Sequence, residues 1–292
     1  MKLNIFFTMR STIFPIAFFF ILISSGCKKE GCTSSCAENY DEKAKVDDGK
    51  CSGCTDSQAV NYCSGASIDN GSCQYDDVSL TVELVHNVGS AVVDYDTLIY
   101  TSNAGNSYSI ELLKYFISDI RFHSSTGSDV LIDEIHYVDA RETSTTTIVP
   151  TTKVKKGSYT HVSFVFGIDE NKNTTGLFTN PPEVLMEWPV LMGGGYHMMK
   201  LEGRHDSSGV LKSYRAHLGS LNGVPRHVEV TIPNLAFAVE NNLTLTLNMD
   251  INKWFESPNT FDMNDIESIM GDSTKQAQLS QNGADVFSAT IQ

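Results

Sequence analysis

The side chains of this 292-residue chain with the greatest capacity for chemistry are eight histidines and seven cysteines. The histidines are His86, His123, His136, His161, His197, His205, His217 and His227. A neutral imidazole is the commonest protein metal ligand, so histidines on strands are natural candidates. A lone histidine, however, is most often a surface or hydrogen-bonded residue. No H-x-H, HExxH or two-His-one-carboxylate spacing occurs, so spacing alone selects no site. Nucleophilic catalysis has little support, because no G-x-S-x-G elbow is present. Gly193-Gly194-Gly195 resembles a phosphate cradle or oxyanion loop. It lacks the Lys-Ser/Thr that would complete a P-loop, and a tight turn feeding a strand is the better reading. A carboxylate pair for glycoside cleavage is defined in space, so the sequence neither supplies nor removes one.

All seven cysteines lie between Cys27 and Cys73. Setting Cys27 aside leaves six, an even number that in an exported chain predicts disulfides. The segment repeats with a 22-residue period. Gly31 to Cys51 (GCTSSCAENYDEKAKVDDGKC) aligns with Gly53 to Cys73 (GCTDSQAVNYCSGASIDNGSC). Cys32 then matches Cys54, and Cys51 matches Cys73. Of fifteen possible pairings of six cysteines, the repeat favours Cys32–Cys51 and Cys54–Cys73, with the unmatched Cys36 and Cys63 joined across the copies. Each copy has too little apolar material for a core and needs covalent staples. A zinc site would need closely spaced cysteine pairs, and only Cys51-x-x-Cys54 approaches one. The Asp47-Asp48-Gly49 and Asp69-Asn70-Gly71 triplets lack the acidic ladder of a calcium loop and read as turns. The segment resembles short repeats of secreted and surface proteins of Bacteroidetes-type bacteria, which implies a spacer.

The N-terminus places the chain in a compartment. Lys2 and Arg10 precede an apolar tract, Ile13 to Ile23, which ends in Ser24-Ser25-Gly26-Cys27. So short a tract with a small-residue exit reads as a signal peptide rather than a membrane span. The cysteine at the exit makes it a lipobox-like site. We therefore expect residues 1–26 to be removed and Cys27 to carry the lipid that anchors the chain to a membrane. The formal charge of −14 argues against nucleic acid as a partner.

The elements that must position the histidines read as strands. Leu80, Val82 and Leu84 alternate with polar residues. Similar short runs are Val130 to Val138, Tyr159 to Phe166, Tyr196 to Leu201, Val228 to Ile232 and Leu243 to Ile251, separated by Gly, Asn, Asp and Pro clusters. Such spacing predicts an all-β, β-sandwich-like main domain after a small disulfide-stapled repeat region. Ser109 to Ile120 fits either a helical face or a strand. Asp262 to Met270 reads as a short helix. The expected organisation is a lipoprotein signal peptide over 1–26, a Cys-rich spacer over 27–77 and a β domain over 78–292.

Several segments of the main domain, in order, resemble the methanobactin-associated copper-binding protein (MbnP-like) family. They are Leu113 to Ile120 (LKYFISDI), Ile135 to Asp139 (IHYVD), Phe166 to Asp169 (FGID), Met186 to Gly203 (MEWPVLMGGGYHMMKLEG) and Tyr214 to Gly219 (YRAHLG). The resemblance implies a β-rich periplasmic or surface protein that binds copper among histidines, in some members beside a tryptophan oxidised to kynurenine by a di-haem partner related to cytochrome c peroxidases. Carried onto matching positions, it implies His86, His136 and His217 as metal ligands, with Trp188 as the modified residue. Three imidazoles suit copper. The second tryptophan of the family signature is Val190 here, and His197 stands where an aromatic or apolar residue is usual. Met198 and Met199 read as packing residues rather than soft ligands. The expected function is a lipid-anchored, non-catalytic copper-binding protein of the cell envelope, outer-membrane or periplasmic, acting in copper acquisition or handling. The competing expectation is a surface interaction or adhesion module without metal binding.

Overall fold

A computed structural model describes residues 28–57, 59–75 and 78–292. The expected signal peptide and Cys27 lie outside the described residues. The chain divides into two compact units, one from the Cys-rich repeats and one from residues 58–61 and 74–292.

The repeat unit holds the three pairs that the internal repeat favours: Cys32–Cys51, Cys36–Cys63 and Cys54–Cys73. Each copy has one tiny parallel ladder, Glu30–Gly31 with Val46–Asp47 and Ser52–Gly53 with Ile68–Asp69. The acidic triplets are turns. Asp47 Oδ1 accepts from the Gly49 amide at 2.7 Å, and Asp69 Oδ1 accepts from Gly71 at 3.0 Å. Such Asx turns are an alternative to ladder hydrogen bonds and end the strands. Among the described residues its apolar cluster is Cys32, Ala37, Cys51 and Cys63, with Ala66 against them. So small a core could not hold the unit without its covalent links.

The main unit is a sandwich of two sheets. Its long strands are β1 (Leu80–Val88), β2 (Leu112–Ser124), β3 (Val130–Asp139), β4 (Gly157–Phe166), β5 (His197–Ser207), β6 (Val210–Gly219), β7 (Val228–Ile232), β8 (Leu243–Asp250) and β9 (Phe287–Ile291). A nine-stranded sheet is built around β2, which pairs with β3, β4 and β5; β7 joins β4, and β6 joins β5. The five-stranded sheet centres on β1 and β8, which run parallel, with β9 antiparallel to β8. Besides a single helical turn at Thr143–Thr146, a ten-residue α-helix, α1 (Ser273–Asn282), follows the side-chain cap of Asp272, which accepts from the Thr274 and Lys275 amides. Among the described residues no helix is long and apolar enough to cross a membrane.

Period-two alternation decides which residues meet. In β1 the inward set is Leu80, Val82, Leu84 and His86, all buried. In β2, Leu113, Tyr115 and Ile117 join the core between the sheets. Phe116, between them in sequence, belongs to a second cluster with Tyr137, Ile168, Met186 and Tyr196. Consecutive strand residues point to opposite faces, so this second cluster covers the outer face of the larger sheet. The connection from β4 to β5, residues 167–196, lies over it. Segment 109–120, readable either way from sequence, is strand from Leu112 onward. Its helical-looking spacing arises because β2 is buried on both faces. The expected helix over 262–270 reduces to one 3-10 turn, Met263–Asp265, capped by Asp262.

Candidate metal centre

The two faces of the nine-stranded sheet separate the histidines. His86 points inward from β1, and its Nε2 lies 3.0 Å from the Tyr115 hydroxyl. Burial lowers its pKa to about 4. His136 is paired with Ile117 across the β2–β3 ladder and so shares the inner face. Its Nε2 donates to the Thr145 carbonyl at 2.8 Å. His217 is paired with Lys200, between the core residues Ala216 and Leu218, and therefore points outward. The structure does not bring His86, His136 and His217 together: two project into the sandwich and the third projects away from it. A shared ion would have to sit on both sides of one sheet.

A different pair does converge. His197 and His217 face each other on the outer face, ring centroids 5.2 Å apart and planes at 82°. Trp188 packs beside them, its indole 4.8 Å from the His197 ring. All three are buried. Each imidazole has one nitrogen held and one free. His197 Nδ1 donates to the Met186 carbonyl at 2.9 Å, and His217 Nε2 donates to Glu202 Oε1 at 2.7 Å. His197 Nε2 and His217 Nδ1 are buried with no hydrogen-bond partner. Leaving such an atom unpaired costs about 1–3 kcal/mol. Metal-ligating histidines commonly donate their other N–H to a carbonyl or carboxylate, which fixes the tautomer and aims the lone pair. Both rings meet that description, so the donor set fits a soft or borderline cation such as copper.

The local charges follow from the same packing. Burial, then the Lys200 charge, pushes the His197 pKa down to about 3, so that ring stays neutral at physiological pH. The hydrogen bond from His217 holds Glu202 below the ordinary carboxylate range. Lys200 is itself shifted down by burial and donates to the Leu185 carbonyl at 2.7 Å.

The elements that hold this geometry come from three parts of the chain. Strands β5 and β6 supply the histidines. The 167–196 connection supplies Trp188, whose amide donates to the Gly195 carbonyl and whose Nε1 donates to the Met192 carbonyl at 3.1 Å. The three-glycine run is a tight turn: Gly193 has φ +127°, and a side chain there would strike the Ser220 carbonyl. Gly219 carries the indole, because an added Cβ would lie 2.1 Å from Trp188 Cε3. Gln276 of α1 braces the strand end, donating to the His217 carbonyl and accepting from the Gly219 amide. Met198 is a packing residue: its sulfur accepts from the Ile168 amide at 3.2 Å.

His197 is the member of this pair that the sequence reading missed. It lies in the same segment as Trp188 and carries a metal-ligating side chain at an apolar position of the family signature, and that mismatch was the available signal. Among the described residues, the one gathering of three or more potential ligands is Cys32, Asp47 and Cys51. Those sulfurs are bonded to each other and offer no thiolate.

A search among curated proteins finds no match. Among solved structures, MbnP from Methylosinus trichosporium is similar at 12% identity, over 73% of this chain and 98% of that chain, with a TM-score of 0.47. The family MbnP matches residues 77–271, the greater part of the chain, with β1 to β8, the three-glycine turn and the histidine pair inside it, and the chain therefore belongs to the MbnP family.

Proposed function

We propose that this protein binds copper at His197 and His217, beside Trp188, and serves copper acquisition or handling at the cell envelope. The observation that supports this reading is the pair of buried ring nitrogens without partners, each on an imidazole whose other nitrogen is tied down. His197 Nε2 and His217 Nδ1 would hold the ion. Copper supplies a redox-active centre there when bound. Glu202 and the Met186 carbonyl orient the two rings, and the 167–196 connection keeps bulk water off them. The anchoring lipid on Cys27, in an outer-membrane or periplasmic setting, belongs to the same proposal. So does a di-haem partner that oxidises Trp188 to kynurenine, the indole being the aromatic group next to the pair. By itself the protein is a carrier rather than an enzyme.

Copper(I) titration of the full mature chain against a competing chelator tests the site. His197→Ala and His217→Ala should each abolish tight binding, whereas His86→Ala and His136→Ala should leave it intact. Tight binding that survives in the double variant at 197 and 217 would overturn the assignment. No copper affinity in the parent protein would favour an interaction module instead. The mass of the Trp188 peptide from protein made in its native host reports on the oxidation.

A further inference from the structure

Three residues elsewhere on the outer face have the hydrogen-bond order of a nucleophilic triad. Asp129 Oδ2 lies 2.8 Å from His123 Nδ1, and His123 Nε2 lies 2.7 Å from Ser163 Oγ. A carboxylate only accepts, so Nδ1 carries the ring proton and Nε2 is a lone pair. The Ser163 hydroxyl therefore donates to Nε2. Both contacts fall within the reach of about 2.6–3.2 Å that marks an activated nucleophile. Such a triad is defined by geometry and roles, not by position in the chain, so the missing G-x-S-x-G elbow does not bear on it.

Strand alternation aims the groups. His123 follows the buried Phe122 in β2, and Ser163 stands between the buried Val162 and Phe164 in β4, so both face outward. His161 is paired with His123 across the ladder, and its ring lies flat on the His123 ring, centroids 4.0 Å apart and planes at 8°. That stack limits rotation of the imidazole. Asp129 sits on the turn between β2 and β3. Its other oxygen accepts from the Ser124 amide at 3.2 Å, and Ser124 Oγ accepts from the Thr126 and Gly127 amides. The carboxylate is thus tied to the strand that carries the base.

Ser163 is half-buried and lines a depression of about 200 Å³. Directly opposite it stand Arg121 on β2 and Thr231 on β7, which line the same depression. Residues so opposed share a face, with Cβ atoms about 4.5–5.5 Å apart. The ion pair of Arg121 with Asp119 Oδ1, at 3.3 Å, engages one of the five guanidinium N–H donors. Two side-chain donors therefore flank the serine where an oxyanion would form. Asp119 and Glu229 also line the depression, and their charges disfavour an anionic substrate.

We propose that Ser163, His123 and Asp129 hydrolyse neutral esters of short carboxylic acids. Ser163 Oγ adds to the acyl carbon while its proton passes to His123 Nε2. The carbonyl oxygen becomes an oxyanion facing Arg121 and Thr231. The bond from the acyl carbon to the alcohol oxygen then breaks, and the Nε2 proton leaves with the alcohol. Water adds to the acyl-serine, giving a proton to Nε2, and the Oγ–acyl bond breaks as Ser163 takes that proton back. The sum is ester plus water to acid plus alcohol. Asp129 is a positioning residue, holding the tautomer and stabilising the imidazolium. The carrier role belongs to the copper pair; the triad lies towards the other end of β2, because β5 pairs with β2 only from Leu112 to Tyr115.

Turnover of p-nitrophenyl butyrate and labelling by a fluorophosphonate test this on the full mature chain, kept free of metal with a chelator. The label should appear on the peptide that carries Ser163. Ser163→Ala should abolish labelling and turnover together, and Arg121→Met should lower kcat about 100-fold. Asp129→Asn should lower kcat with KM unchanged, by less than the roughly 10⁴-fold seen for a buried triad aspartate, because Asp129 is exposed. Asp129→Glu should restore part of the loss. Unfolding midpoints close to the parent would show that the variants are folded. No label on Ser163 in the parent, or turnover unchanged in Ser163→Ala, would overturn the proposal.

Discussion

The inner and outer faces of the nine-stranded sheet use histidine in opposite ways. Against the inner face, His86 of the five-stranded sheet is closed into the core with its Nε2 bonded to Tyr115, whose ring packs on Phe166 at 5.2 Å. On the outer face, His197 and His217 are nearly as buried, yet each keeps one nitrogen unpaired. Burial alone therefore does not distinguish a structural histidine from a ligand. What marks the outer pair is that two unpaired nitrogens sit on facing rings 5.2 Å apart, since His205 and His227 each also bury an unpaired Nδ1. The outer face places two unpaired buried nitrogens on facing rings, at some cost to stability.

The sharpest way to break this contrast is to damage the inner face. Phe166 also packs on Trp254 at 4.8 Å and on Phe287 at 5.6 Å. Phe166→Ala should cost about 3–5 kcal/mol in denaturant unfolding. A loss comparable to that of an exposed-residue control would show that this core is not the main support of the fold.

Acid comes next. The folded-state pKa of His86, about 4, lies below the ordinary value of 6.5 because burial disfavours the charged ring. The unfolded chain therefore binds the proton more readily. Stability from this group is complete above pH 6.5 and is lost as the pH falls through 4, by roughly 3 kcal/mol in all. Urea midpoints at pH 7 and pH 4 for the metal-free protein and for His86→Phe check the sign. The variant should show the flatter dependence.

On the outer face, Glu202→Gln keeps the shape but weakens the acceptor for His217. Copper affinity should fall about 10- to 100-fold with little change in the unfolding midpoint. An unaltered affinity would mean that the carboxylate does not position the ring. The smallest effect concerns the brace. Asp272→Ala removes the cap of α1 and should cost about 1 kcal/mol. Because Gln276 on that helix holds the backbone at His217 and Gly219, the amide signals of both residues should shift in NMR spectra, while those of the β1–β8 ladder should not.

Much of this architecture was legible in the sequence, for identifiable reasons. The 22-residue repeat favoured the disulfide pairing, because equivalent cysteines in equivalent copies close equivalent loops. Alternation at Leu80, Val82 and Leu84 marked β1, where one face is buried and the other is not. The same signal failed at Leu112–Ser124, because Phe116 is buried outward while Tyr115 and Ile117 are buried inward. Helix α1 was missed: its buried residues are Gln276, Leu279 and Asn282, so it has little apolar stripe to read. The site was the least legible part. Which histidines meet depends on strand facing and on a connection that crosses over the sheet, and neither leaves a local spacing. His86 and His217 look equivalent in sequence and lie on opposite sides of one layer of backbone.

The stapled repeat has a mechanical consequence. Pulled from its ends as a free chain, the segment from Cys32 to Cys73 could extend to roughly 140 Å at about 3.4 Å per residue. Load applied to the oxidised segment instead passes through two disulfides, with Cα separations of 4.9 Å and 4.7 Å, and the short link from Cys51 to Cys54. The loaded path is therefore about 20 Å, the link itself adding at most about 11 Å. While its disulfides remain closed, the segment behaves under tension as a strap of nearly constant length rather than as a spring.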